Sequence, residues 1–285
     1  MKIATFDAGA GAQLGAVTGD RITPLHQAAP GLPADMIGLI SAWRTAEREV
    51  RGIAEAGAGA LPLDQVRLLA PIRRPGKIMA IGLNYADHIA ESGAETPANQ
   101  IWFSKAPTAA NGPNDPIQVP KVSQALDYEA EMVVVIGAGG RHIAKADAAG
   151  AVFGYCCGND ATERAWQHRT PQWVLGKSFD THAPFGPWIT TADEVADPHA
   201  LGIRCLVNGE VRQDSNTRHL VFNVWDQIEH LSQAMTLEPG DLIFTGTPGG
   251  VGAAMQPRRF LKDGDRVRVE IEGLGALDNP CANEA

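Results

Sequence analysis

The chain has 285 residues, of which 44% are hydrophobic and 20% charged, and a formal net charge of −9. That length can bury a large core as one domain or two, and the acidic balance argues against nucleic acid or an acidic membrane surface as partner. No apolar run approaches the roughly 20 residues of a membrane span, Met1 to Asp7 has no signal-peptide architecture, and Cys156, Cys157, Cys205 and Cys281 lack zinc-type spacing, so the cytoplasm is the expected compartment.

In chain order, Lys2 to Phe6 and Leu14 to Val17 alternate as strands, Gly19-Asp20 turns, and Ile22 to Leu25 returns. Pro33 opens a helix whose apolar positions Met36, Ile37, Ile40 and Trp43 follow the 3.6-residue period, and Gly57-Ala58-Gly59-Ala60 ends it. Val66 to Ile72 reads as a strand, and the turn Arg73-Arg74-Pro75-Gly76 follows it. Residues 1–72 are therefore expected to form a small α/β module without chemistry of its own, and residues 73–285 the catalytic unit.

Lys77 to Gly82 is a further strand. It precedes Asn84-Tyr85-Ala86-Asp87-His88-Ile89-Ala90-Glu91, where a helix capped by Asn84 would put His88 and Glu91 on one face. Such a pair is either a solvated surface pair or an imidazole oriented by a carboxylate. Ser92 to Asn99 is loop, and Ile101 to Lys105 a strand ending in a lysine.

Asp127, Glu129 and Glu131 stand at every second position before the apolar run Val133-Val134-Val135-Ile136. In one strand they would share a face, successive carboxylates roughly 6.5–7 Å apart. The run after them has no polar side, as in a strand buried on both faces, and burying ionised groups costs several kcal/mol each without compensation. Glu129 and Glu131 are thus read as ligands of a hard divalent cation, with a solvated acidic face as the plain alternative. Asp160, in Gly158-Asn159-Asp160 ahead of an expected helix, is the candidate third ligand or else a helix cap.

Gly137-Ala138-Gly139-Gly140-Arg141-His142 half resembles a dinucleotide fingerprint, but the third glycine falls at His142, so no nucleotide cofactor is expected. Lys177, in an apolar context, needs a negative partner. Cys205-Leu206-Val207, Asn208-Gly209 and Glu210-Val211 form a hairpin. A helix is expected over His219 to Met235, and Arg266 to Ile271 belongs to a last strand pair. Short strands without regular βα alternation make a strand-rich α+β fold.

Five segments together resemble the fumarylacetoacetate hydrolase family: Gly82 to Glu91, Asp127-Tyr128-Glu129-Ala130-Glu131, Asn159-Asp160, Gly176 to Thr181, and Thr245-Gly246-Thr247-Pro248-Gly249-Gly250-Val251-Gly252. The resemblance runs in order from about residue 70 to the end. It implies a mixed β-roll catalytic domain and a homodimer, with Glu129, Glu131 and Asp160 binding Mg²⁺ or Mn²⁺. It also implies a water-activating dyad of His88 and Glu91 on a lid helix, Lys177 in the active site, and substrate contacts from Arg164, Gln167, Thr247 and Lys105.

A cation held by three carboxylates suits a small 2-oxo acid as ligand. The expected reaction is hydrolysis of the C3–C4 bond of a 2,4-diketo acid, with 2,4-diketo-3-deoxy-L-rhamnonate or L-fuconate giving pyruvate plus L-lactate. Acylpyruvate hydrolysis, oxaloacetate decarboxylation, ureidoglycolate lysis and hydroxydienoate isomerisation are the alternatives within the family. A non-catalytic binding protein for a metal and a 2-oxo acid is the alternative outside it.

Overall fold

The computed structural model describes residues 1–285. It is the strand-rich α+β fold expected, and one strand, Ala130–Ile136, organises it. Every residue of that strand is buried. Met132, Val134 and Ile136 enter one hydrophobic core, while Val133 and Val135 enter another on the opposite face. An uninterrupted apolar run is what such a two-sided position demands.

Antiparallel to it lies Val152–Asn159 on one side and Leu242–Phe244 on the other. Leu242–Phe244 pairs parallel with Ile78–Gly82, which pairs antiparallel with Ile101–Lys105 at the sheet edge. In the other direction, Val152–Asn159 pairs with Ala183–Thr191, and that strand pairs with Lys2–Asp7 through Ile3 and Ile189. Strands of the first 72 residues thus extend the same 12-stranded sheet that carries the glutamates.

One face of this sheet is covered by the helix Met36–Ala56, which Asp35 caps by accepting a hydrogen bond from the Gly38 amide and which ends at Gly57 in the left-handed region. The other face packs on a five-stranded sheet containing Gly202–Val207, Arg266–Ile271 and Gly275–Asn283, and on the helix Val224–Ala234. That helix is shorter than the His219–Met235 span expected, because Asn223 and Asp226 form a capping box that sets its start. Only Arg67–Leu69 of the expected Val66–Ile72 strand is paired, against Lys2–Asp7.

Two local differences shape the site. Leu126–Asp127 is not continuous with the glutamate strand but pairs separately with Thr162–Glu163. Asp127 therefore leaves the face expected for it. And no helix begins at Asn159-Asp160, since the chain turns there into Thr162–Glu163 and reaches a single helical turn only at Arg164–Gln167.

Candidate active site

The turn at Asn159-Asp160 brings its two side chains to the glutamates. Asn159 Oδ1 accepts a hydrogen bond from the Glu129 amide at 3.0 Å, and the Asp160 amide donates to the Glu129 carbonyl at 2.9 Å. Asp160 is thereby placed as a side chain of the site and not as a helix cap. Carboxylate oxygens of Glu129, Glu131 and Asp160, all three buried, lie within 4.8 Å of one another.

The surrounding charges are unequal. Lys177 Nζ contacts Glu129 Oε2 at 2.8 Å and Asp160 Oδ2 at 2.6 Å. Burial opposes its charge, but Asp160 and Glu129 outweigh burial and raise its pKa. Arg164 contacts Glu129 Oε1 at 2.7 Å through Nη2 and Asp127 Oδ2 at 2.9 Å through Nε. For Glu129, burial is overcome by Lys177 and Arg164, which hold it down at about 2. Glu131 has only the Gly246 N–H, at 2.8 Å. Burial, then repulsion by Asp160 and Glu129, push its pKa well above the carboxylate range.

These three residues fit a divalent cation. The donor set is oxygen only, it converges, and one of its members lacks the positive partner that the other two have. Mg²⁺ or Mn²⁺ takes such ligands while leaving positions for a small molecule.

A cavity of about 520 Å³ opens over Glu129 and Glu131 and is lined also by His88, Glu91, Arg164, Gln167, Lys177 and Thr247. Six of the residues expected at the site thus share one wall with two of the expected ligands. His88 and Glu91 lie on the short helix Ala86–Ser92, with His88 Nδ1 3.5 Å from Glu91 Oε2 and otherwise unpaired. Glu91 is held from the other side by the Gly250 N–H at 2.9 Å. Gly250 has a φ of 101°, and a Cβ there would stand 2.0 Å from the Arg212 carbonyl, so only glycine fits.

Lys105 is placed differently from expectation. It is neither a solvated strand end nor part of the cavity wall, but lies beneath Asp160, donating to Oδ1 at 2.5 Å and to the Ala161 carbonyl at 3.2 Å. Burial lowers its pKa, Asp160 opposing and Lys177 reinforcing that effect. It buttresses Asp160 and does not line the cavity. Asn84 is also not the cap of the His88 helix, whose first residue follows Tyr85. Its amide donates to the Phe222 and Thr245 carbonyls, tying the start of the glycine-rich loop.

Three residues that sequence reasoning did not assign complete the frame. Asp127 accepts the amides of Gly252 at 2.8 Å and Ala253 at 3.0 Å besides the guanidinium of Arg164, so it fixes loop and arginine together. Its place in the alternating acidic run was the only signal. Gln213 accepts from the Ala130 amide and donates to Thr247 Oγ1 and the Pro248 carbonyl, each within 2.9 Å. Trp173 packs on Phe103 to form an aromatic wall of the cavity.

Residues 77–282 match the family described as fumarylacetoacetate (FAA) hydrolase C-terminal, and residues 1–71 match an N-terminal family described as Rv2993c-like. The chain belongs to the fumarylacetoacetate hydrolase family. Among curated relatives, the mitochondrial oxaloacetate tautomerase Fahd2a of Rattus norvegicus is 45% identical over 262 residues, 92% of this chain and 84% of the relative. The human mitochondrial oxaloacetate tautomerase FAHD2A (Homo sapiens) is 43% identical over 94% of this chain and 87% of its own. Among solved structures, maleylpyruvate hydrolase from Sphingobium sp. SYK-6, in complex with manganese(II) ion and pyruvate, superposes with a TM-score of 0.86 at 36% identity over all of both chains. The fumarylacetoacetate hydrolase from psychrophilic Exiguobacterium antarcticum gives 0.89 at 37%, again over all of both chains.

These relatives make the protein an enzyme of the family's hydrolase and isomerase group. They overturn the cytoplasmic location expected from the sequence, since the relatives named oxaloacetate tautomerases are named mitochondrial. The missing signal-peptide pattern carried that expectation too far, because mitochondrial import relies on amphipathic, arginine-rich segments of another kind.

Proposed function

We propose that this protein interconverts the enol and keto forms of oxaloacetate. The observation that carries the reading is the similarity, across more than nine-tenths of the chain, to proteins named oxaloacetate tautomerases. It favours oxaloacetate, which the sequence reading held only as an alternative and as a decarboxylation substrate, over the 2,4-diketo-3-deoxy sugar acids.

The geometry suits this chemistry. In this reading Glu129, Glu131 and Asp160 hold Mg²⁺ or Mn²⁺, which when bound supplies electrophilic polarisation of a 2-oxo carboxylate. Thr247 Oγ1, whose lone pair accepts from Gln213, has its own proton free to donate to the substrate carboxylate. Lys177 and Arg164 favour negative charge developing on the C2 oxygen. His88 moves the proton to or from C3, its Nδ1 turned to the Glu91 carboxylate that Gly250 holds in place. Tautomerisation exchanges one proton at C3, served by His88, for one at the C2 oxygen, which bulk water takes up or returns as substrate binds or leaves, and it needs no water nucleophile.

Decay of the ultraviolet absorbance of freshly dissolved enol-oxaloacetate tests the reading. Acceleration with Mg²⁺ or Mn²⁺ that EDTA abolishes is expected, and a rate equal to buffer at all protein concentrations refutes it. A second reading, C–C hydrolysis of an acylpyruvate-type substrate, is favoured by the likeness to maleylpyruvate hydrolase. Pyruvate release from maleylpyruvate without enol decay would select it.

A further inference from the structure

The cavity has one cation that the reaction as described does not use. Of the lysines and arginines lining it, Arg164 is paired with Asp127 and Glu129, and Lys177 with Glu129 and Asp160. The third, Arg258, forms no ion pair, although its neighbour Arg259 is paired with Glu210.

The backbone that carries Arg258 is fastened, while its side chain stands exposed on the cavity lining. Asp127 accepts the Gly252 amide, the Arg259 amide donates to the Gly252 carbonyl at 3.0 Å, and the Leu261 amide donates to the Leu126 carbonyl at 2.7 Å. A Cβ on Gly252 would meet the Arg259 carbonyl at 2.2 Å, so the loop closes on itself only with glycine there. The segment bearing Arg258 is thus fastened on both sides to the residues that flank the glutamate strand. Beside it His168 lines the same wall, its pKa lowered by burial and then by Arg164, Lys177 and Arg258. Arg258 is thus the lining cation whose charge no carboxylate of the protein offsets.

We propose that Arg258 is a specificity-determining residue that binds the second carboxylate of a dianionic 2-oxo acid and selects dicarboxylates over monocarboxylates. The inference deepens the oxaloacetate reading and rests on it for the choice of ligand. A 2-oxo carboxylate at the buried end of the cavity uses Thr247, Lys177 and Arg164, all committed to that end. A second carboxylate then has Arg258 as its one uncommitted cation, and a guanidinium suits it because two parallel N–H groups match its two oxygens.

Oxaloacetate and pyruvate differ by that carboxylate alone, so their binding isolates its contribution. Calorimetric titration of each into the Mn²⁺-loaded wild type and into the Arg258→Gln and Arg258→Lys variants is the test. The expected result is about tenfold weaker oxaloacetate binding in Arg258→Gln, as for loss of one charge-assisted hydrogen-bond pair, partial recovery in Arg258→Lys, and pyruvate unchanged in all three. Equal weakening of both ligands, no change in either, or a wild type that binds pyruvate as tightly as oxaloacetate overturns it. The titration reads binding, so it separates this proposal from the tautomerase reading. Selective binding without enol decay would remove the reaction and leave the role of Arg258 standing.

Discussion

Glu131 is the residue whose replacement should change sign with the metal. It is 1% exposed, has one hydrogen bond, and faces Glu129 and Asp160. Without a cation it must be protonated in the fold at neutral pH or bear an uncompensated buried charge. Protonating a group whose usual value is near 4.5 at pH 7 costs about 3 kcal/mol, at 1.36 kcal/mol per pH unit, which bounds the penalty. The sign follows from proton uptake. Above 4.5 the fold holds a proton that the unfolded chain releases, so this group destabilises increasingly as pH rises until its raised native pKa is passed. Glu131→Gln, neutral and of the same shape, should therefore stabilise the EDTA-treated protein by about 1–3 kcal/mol, or roughly 2–6 °C in Tm for a chain of this size. With Mg²⁺ or Mn²⁺ the order should reverse. Wild type gains about 4.1 kcal/mol at a metal concentration a thousand times Kd, more than the variant's advantage, and the variant, having lost a ligand, gains little. Differential scanning calorimetry with and without metal checks both halves. A wild-type Tm indifferent to Mg²⁺, Mn²⁺ and EDTA, or an equal metal shift in the variant, refutes the assignment of these carboxylates.

Two further outcomes are expected. His88→Ala should lower kcat for enol-oxaloacetate by about 10²–10⁴ while keeping the metal-dependent Tm shift, since it lies outside the ligand set; unchanged kcat removes His88 from proton transfer. His182 is buried against Phe179, its Nε2–H donating to the Gln118 carbonyl and its Nδ1 unpaired, and burial lowers its pKa to about 4. Below 6.5 the unfolded chain takes up a proton that the fold refuses, so stability should fall by about 3 kcal/mol between pH 6.5 and 4 from this residue. Urea titrations across that range should show a shallower decline for His182→Gln, and parallel curves for the two proteins would refute it.

The sequence by itself determined those features that depend on near neighbours in the chain. The apolar run Val133 to Ile136 pointed to a two-sided strand, the 3.6-residue pattern from Met36 to a helix with one apolar face, and the alternation of Glu129 with Glu131 to two carboxylates on one face. What it left open depends on contacts between segments far apart. Asp160 was ligand or helix cap until the chain's turn into Thr162–Glu163 aimed it at Glu129. Asp127 shared the glutamates' alternation, yet a break in the strand gave it to Arg164 and the Gly252 loop, 125 residues away. Lys105 read as a strand-end lysine contacting substrate and is buried beneath Asp160, 55 residues on. Gln213 and Arg258 carried no local signal at all. A side chain's periodicity reports the face on which it stands, whereas its charge partner, burial and access to a cavity are set by whatever other strand or loop the fold brings against that face, and only the tertiary structure decides that.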